Sequence, residues 1–167
     1  DAVSMERFDL TALINGVLEK SGLMIREKEA EVTFRESEPI YVWADEFKIE
    51  EVLTNYFTNA LNHLGGERKI DIHVSRVSPV KISVFNTGTP IPEEELPMLW
   101  NKFYKVDKAH TRSYGGSGIG LSIVKAIMDS HGQECGVRNY RDGVEFWFTL
   151  DTEKQIPENM RNGRQRI

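Results

Sequence analysis

The chain has 167 residues, with 21 Lys and Arg against 26 Asp and Glu, a net charge of −5 and a pI near 5.5. With 40% apolar and 28% charged residues it has an ordinary globular composition, and one domain of this size buries about 70% of its unfolded surface without disulfide or metal staples. The acid excess excludes a nucleic-acid or anionic-membrane binder acting through bulk charge, and no run approaches the ~18 uncharged apolar residues of a membrane span or resembles a signal peptide. The single Cys135 cannot close an internal disulfide, so a reduced, cytosolic setting is the expectation. The chain opens on Asp1 rather than Met and is expected to be a piece of a longer protein.

Taken in order, residues 8–21 (FDLTALINGVLEKS) space their apolar positions Leu10, Leu13, Ile14, Val17 and Leu18 as an amphipathic helix that Gly22 is placed to end. Residues 31–36 and 40–43 read as two short strands around a turn near Pro39. Asp45 is an N-cap candidate for a long helix reaching Leu64 and closed by Gly65-Gly66. Strands are expected over 69–75 and 80–85. From Asn86 to Gly118, prolines 90, 92 and 97, a basic aromatic stretch and then glycines predict a long functional loop. Residues 119–130 read as a helix apolar almost all round, hence buried, with Gly132 as its cap; strands over 135–139 and 144–150 flank Arg141-Asp142-Gly143. Residues 1–150 thus form one domain and 151–167 a polar, frayed tail. The order α-ββ-α-ββ-loop-α-ββ, with short turns between successive strands, predicts an α/β two-layer sandwich: a mixed, mostly antiparallel sheet with helices on one face.

Four clusters could carry chemistry. On the long helix Asn55, Asn59 and Asn62 fall within a sector of about 60°, with His63 near it and the apolar arc Leu53, Phe57, Ala60, Leu64 facing away. Asn is a poor helix former. Alone, the stripe is most simply a solvated face; chemically, it is a row of amide oxygens able to ligate a hard cation such as Mg²⁺. Asn86-Thr87-Gly88-Thr89-Pro90 follows a strand, where Gly88 permits a sharp turn or close approach to a planar ligand. Lys102, Lys105, Lys108 and Arg112 concentrate positive charge in an otherwise acidic chain, which suits polyphosphate as well as a solvated loop. Gly115-Gly116-Ser117-Gly118-Ile119-Gly120-Leu121 leads into a helix, whose bare N–H groups bind anions. It is neither a Walker A loop nor a dinucleotide fingerprint.

In this order the motifs resemble the N, G1, F and G2 boxes of the catalytic ATP-binding domain of bacterial sensor histidine kinases. The N box is Asn55-Tyr-Phe-Thr-Asn59-Ala60, the G1 box Asn86-Thr-Gly88-Thr-Pro90-Ile91-Pro92, the F box Trp100-Asn-Lys-Phe103-Tyr104-Lys105 and the G2 box Gly116-Ser-Gly118-Ile-Gly120-Leu121. Even residues 143–150 are similar to that family's last strand. The resemblance covers residues 8–150 and implies the Bergerat-type fold shared with gyrase, MutL and chaperone ATPases. ATP would lie between the long helix and a lid formed by 106–115. It implies Asn59 as the Mg²⁺ ligand with Asn55 as helper, Lys105 facing phosphate, and Tyr104 and His63 bordering the nucleotide. Gly116, Gly118 and Gly120, with Ile119 and Leu121 beside them, would line the phosphates. Three departures stand out. The usual opening Asp of the G1 box, which accepts the adenine amino group, is Asn86 here; Pro90 replaces a second glycine; Asn62 stands where a Lys is usual.

The implied reaction is transfer of the γ-phosphoryl group of ATP to a histidine. None of His63, His73, His110 and His131 has the context of a phosphoacceptor, so no residue of this chain is expected to act as nucleophile or base. The acceptor is expected on an upstream dimerising helical domain, and a response-regulator receiver domain is the implied later partner. The resemblance implies a monomeric fragment, a homodimeric full-length protein and a cytoplasmic position in a membrane-anchored sensor. His131 is expected to cap its helix. Two other readings remain: a docking module that has lost productive ATP binding, favoured by Asn86 and Asn62, and a hydrolytic ATPase. The latter branch uses a Glu where Asn55 stands, and Asn55 cannot act as a base.

Overall fold

Asp9 converts a strand into a helix. Its carboxylate accepts the Thr11 N–H at 3.0 Å and the Ile40 N–H at 3.2 Å, capping helix α1 (Leu10–Lys20). The residues before it form strand β1 (Glu6–Asp9), absent from the sequence expectation. The computed structural model describes residues 2–104 and 120–154. Gly22 does not simply end α1 but opens a second short helix, α2 (Gly22–Glu27).

Strands β2 (Glu31–Phe34) and β3 (Tyr41–Ala44) do not fold back on each other as the turn near Pro39 suggests. The connecting segment is tied elsewhere: Thr11 donates its hydroxyl to the Glu38 carbonyl at 2.8 Å, and the Leu10 N–H reaches the Ile40 carbonyl at 2.7 Å. β3 therefore pairs antiparallel with β1, Phe8 opposite Val42. β2 runs parallel to β4 (Lys69–Ser75), placing Val32 and Phe34 opposite Ile70 and Ile72. With β5 (Val80–Thr87), β6 (Cys135–Tyr140) and β7 (Gly143–Leu150), the main sheet has five strands in the order β2-β4-β5-β7-β6. Among the described residues only the β2–β4 pair is parallel. β6 and β7 form a hairpin closed by Arg141 and Asp142.

The period-two alternation buries Ile70, Ile72, Val74, Val80, Ile82, Val84, Val144, Phe146, Phe148 and Leu150 together, and the apolar sides of the helices join them in one core. Helix α3 (Glu46–Asn62) supplies Ile49, Val52, Leu53, Tyr56, Phe57, Ala60 and Leu61. Asp45 caps it as expected, accepting the Lys48 N–H at 3.2 Å and, on its other oxygen, the Ser4 N–H at 2.8 Å. Burial pushes this carboxyl upward, but those two N–H groups and the Lys48 ammonium outweigh it and hold it below the usual carboxylate value. Helix α4 (Gly120–Ser130) is amphipathic rather than apolar all round: Val124, Ile127 and Met128 are buried, while Lys125, Ala126, Asp129 and Ser130 are exposed. Gly132, at φ +65°, ends it as expected. His131 caps α4 by bonding the Ile127 carbonyl through Nδ1 at 2.8 Å, and its Nε2 also accepts the Asp45 N–H at 3.1 Å. It thereby ties the end of α4 to the start of α3.

The expected loop beginning at Asn86 is partly ordered structure. Asn86 and Thr87 belong to β5, Ile91 and Leu99 are buried, and Glu93–Met98 form a 3₁₀ turn. The expected tail begins attached, since the Trp43 N–H donates to the Asp151 carbonyl at 2.8 Å; residues 155–167 lie outside the described residues. Among the described residues no helix is long and apolar enough to cross a membrane.

Tyr56 fixes α3 on the sheet. Fully buried between the rings of Phe146 and Phe148, it donates its hydroxyl to the Trp147 carbonyl at 2.9 Å. Burial holds that phenol well above its ordinary pKa, so it remains a donor at any physiological pH. Tyr56→Phe is expected to lower unfolding stability by about 1 kcal/mol in urea titration, because one buried hydrogen bond is lost while the ring packing stays.

Candidate functional site

With the apolar side of α3 pinned to the sheet, its amide stripe must face elsewhere. Asn55 bonds back to its own helix, Nδ2 donating to the Glu51 carbonyl at 3.0 Å, so Oδ1 turns outward. That oxygen lies against the first residue of α4: a Cβ on Gly120 would sit 2.8 Å from it. One turn later, Asn59 Nδ2 is buried with no hydrogen-bond partner among the described residues. The stripe is half-buried, and a buried N–H donor without a partner costs about 1–3 kcal/mol unless an acceptor satisfies it. Asn62 ends α3, half-buried. His63 follows as its cap, donating its backbone N–H to the Asn59 carbonyl at 3.0 Å. Its ring Nε2 lies 2.7 Å from the Thr89 carbonyl, which can only accept, so Nε2 carries the proton. Burial lowers the His63 pKa, against the opposing pull of the Thr89 bond, which keeps the ring neutral at pH 7.

The Asn86–Thr89 segment packs directly on this helix end. Asn86 is buried at the end of β5, and its Nδ2 donates to the Thr87 carbonyl at 3.1 Å and toward the His63 carbonyl at 3.5 Å. Both contacts are to carbonyl oxygens, so the amide orientation is set and Oδ1 is its acceptor face. Thr87 donates its hydroxyl to the Gly65 carbonyl at 2.7 Å and accepts the Lys69 N–H at 2.9 Å. The Gly65 N–H returns to the Thr87 carbonyl at 2.9 Å, locking the Gly65-Gly66 turn to the end of β5. Gly88 has φ +154°, and a Cβ there would meet the His63 carbonyl at 2.7 Å. Only glycine fits. Its N–H donates to the Asp142 carbonyl in the β6–β7 hairpin at 3.0 Å.

Tyr104 donates its hydroxyl to Glu95 Oε1 at 2.5 Å, and this bond raises the phenol's pKa. Leu121, in the first turn of α4, packs half-buried on the core edge beside Gly120. The structure thus gathers Asn55, Asn59, Gly120 and Leu121 where α3 meets α4, and His63, Asn86 and Gly88 where α3 meets β5. Lys105, Gly116, Gly118 and Ile119, with the expected lid 106–115, lie outside the described residues. The sequence does not by itself mark Thr87, Asn139 or Asp142 as site residues, the last two reading only as the end of a strand and a turn. The place of Thr87 between Asn86 and Gly88 inside the G1 motif is a usable signal for it; nothing local marks the other two as site residues.

Among the described residues no group of three or more His, Cys, Asp or Glu could hold a metal ion. A cation here would rest on amide oxygens such as Asn59 Oδ1 and on ligand phosphates, a donor set suited to Mg²⁺; the unpartnered Asn59 Nδ2 is a hydrogen-bond donor, which a phosphate oxygen and not the cation would satisfy.

The model of the histidine kinase-, DNA gyrase B- and HSP90-like ATPase family matches residues 44–154, from the cap of α3 to just past β7. The sensor protein kinase WalK of Staphylococcus haemolyticus is 29% identical over 160 residues, a match covering 92% of this chain and 26% of that protein. WalK of Staphylococcus epidermidis is 28% identical with the same coverage; the chain spans about a quarter of these curated relatives. Among solved structures, the catalytic domain of histidine kinase ThkA superposes with a TM-score of 0.78 at 32% identity, over 90% of this chain and 97% of that one. ThkA in complex with response regulator protein TrrA gives 0.75 at 31% identity, over 89% of this chain and 42% of that one. From the sheet order to the polar stripe of α3, the chain belongs to the histidine kinase-, DNA gyrase B- and HSP90-like ATPase family.

Proposed function

We propose that the chain is the catalytic domain of a sensor histidine kinase: it binds ATP with Mg²⁺ and presents the γ-phosphoryl group to a histidine on a separate, dimerising domain. The observation that carries this reading is the buried Nδ2 of Asn59, a donor with no acceptor among the described residues and so suited to a phosphate oxygen, beside the tight α3–α4 approach at Asn55 and Gly120. Asn59, helped by Asn55, would hold the cation through its amide oxygen. Mg²⁺ supplies charge neutralisation on the phosphates during transfer. The N-terminus of α4 is the end of that helix that favours phosphate, because a helix N-terminus attracts anions.

At the other end of the site, Asn86 presents Oδ1 as an acceptor because its NH₂ is taken by the carbonyls of Thr87 and His63. Adenine's exocyclic amino group is a donor, so the amide can do the work of the Asp usual in the family, without a charge. The replacement therefore does not by itself favour the docking-module reading. In this reading His63, Asn62 and Tyr104 border the nucleotide, Leu121 lies beside Gly120 at the phosphate end, and Lys105, Gly116, Gly118 and Ile119 complete the phosphate side. The domain's contribution is positioning and charge stabilisation, since no residue here serves as nucleophile or base.

A response regulator is the proposed downstream partner, supported by the ThkA–TrrA complex, and a membrane-anchored sensor the proposed full-length context, supported by the curated sensor kinases. Residues 1–150 as the catalytic unit, with 151–167 as an appended tail, are part of the same proposal.

Calorimetric titration with a non-hydrolysable ATP analogue is expected to show Mg²⁺-dependent binding, and Asn59→Ala to weaken it at least tenfold, chiefly by removing the Mg²⁺ dependence. No heat at millimolar ligand would replace the kinase reading with the docking module. Incubated alone with γ-labelled ATP, the chain is expected to gain no acid-labile phosphohistidine. Self-labelling would overturn the two-domain reading, and sustained phosphate release would favour a hydrolase.

A further inference from the structure

Pro90 and Pro92 have no N–H to give, so Ile91 holds the one backbone donor in the Pro90-Ile91-Pro92 run. Ile91 is 2% exposed, and buried backbone groups must be paired. Both of its groups are met by one side chain. Asn139 Oδ1 accepts the Ile91 N–H at 3.0 Å, and Asn139 Nδ2 donates to the Ile91 carbonyl at 2.6 Å. The amide reproduces the two bonds of a β-bridge at a place where prolines prevent a strand from continuing. Nδ2 also lies 3.5 Å from Glu93 Oε1, at the start of the 3₁₀ turn.

Asn139 stands on β6 opposite Val144, in the hairpin that gives the Asp142 carbonyl to the Gly88 N–H at 3.0 Å. The same hairpin brings Gly143 so close to the Asn86 carbonyl that no Cβ fits between them. The hairpin therefore touches the loop at residues 86, 88 and 91. On the opposite side His63 holds it through the Thr89 carbonyl at 2.7 Å. Both the Asn86 acceptor and the Gly88 turn are set between these two walls.

We propose that Asn139 is a positioning residue for the nucleotide: by clamping Ile91 it keeps the Asn86–Pro92 loop in the shape that receives adenine. The clamp needs an amide. A carboxylate cannot donate to the Ile91 carbonyl and would stand beside Glu93, and alanine offers nothing. This rests on the reading of the loop as the adenine subsite.

The test uses the intact chain. Asn139→Ala and Asn139→Asp are compared with Val17→Ala, a core substitution in α1 that lowers stability without touching the loop. Calorimetry with the Mg²⁺-loaded ATP analogue, well below each melting temperature, is expected to show about tenfold weaker binding for both Asn139 variants, as for a loop in its receiving shape about a tenth of the time. ADP should lose the same factor, and Val17→Ala should bind as the unaltered chain does. In free Asn139→Ala the Gly88 and Ile91 amide resonances should broaden by exchange, then sharpen with nucleotide. Binding within twofold of the unaltered chain, despite a lowered melting temperature, would make Asn139 merely structural and overturn the proposal. An unaltered chain that fails to bind would remove the nucleotide reading itself, and this proposal with it.

Discussion

The seating of α3 on the sheet is the constraint from which the site follows. Burying a large apolar side chain is worth about 1.5–3 kcal/mol, and α3 buries Leu53, Tyr56, Phe57 and Leu61 on one side. The Tyr56–Trp147 hydrogen bond then fixes its rotation as well as its depth. Three asparagines at helical spacing have no freedom after that. They must face away from the sheet, and at both ends of the stripe the space for side chains runs out: Gly120 and Gly88 sit where a Cβ would collide with Asn55 and with the carbonyl of the cap residue His63.

The second consequence is a division of labour along α3. Its N-terminal end is structural: Asp45 gathers N–H groups from Ser4 and Lys48, and His131 ties the same point to the end of α4. Its C-terminal end is where polar groups stay available. The buried amide of Asn59 is unsatisfied among the described residues, a local cost that a folded protein keeps where a ligand can offset it. α3 thus carries both ends of the proposed site, the phosphate end where it meets α4 and the base end where it meets β5, while the β6–β7 hairpin braces the loop at the base end.

What was legible in the sequence was whatever a single element carries by itself. The stripe Asn55, Asn59, Asn62 needs only helical periodicity, Asp45 is a local cap, and alternation in 69–75, 80–85 and 144–150 names the buried face of the sheet. Strand partners were not legible, because pairing is chosen by distant residues. β2 and β3 look like a hairpin around Pro39, yet Asp9 and Thr11 capture the connecting segment, and β2 finds its partner in β4. β1 was missed for the same reason: four residues of modest pattern become a strand only against β3. α4 read as apolar all round because its composition hides which side meets the core. Asn139 carried no local mark; its role exists only because the fold brings it to a segment with prolines on both sides of one residue.

The most direct measurement is an amide ¹H–¹⁵N NMR titration of the chain with Mg²⁺ and a non-hydrolysable ATP analogue. If nucleotide lies where α3, β5 and α4 converge, the largest shifts will cluster at Asn59, Asn62, His63, 86–92 and the first turn of α4, the Asn59 side-chain amide will move only when Mg²⁺ is present, and α1 and β2 will stay still. Saturable shifts centred elsewhere on the sheet, with Asn59, Asn86 and Gly88 unmoved, would contradict that placement.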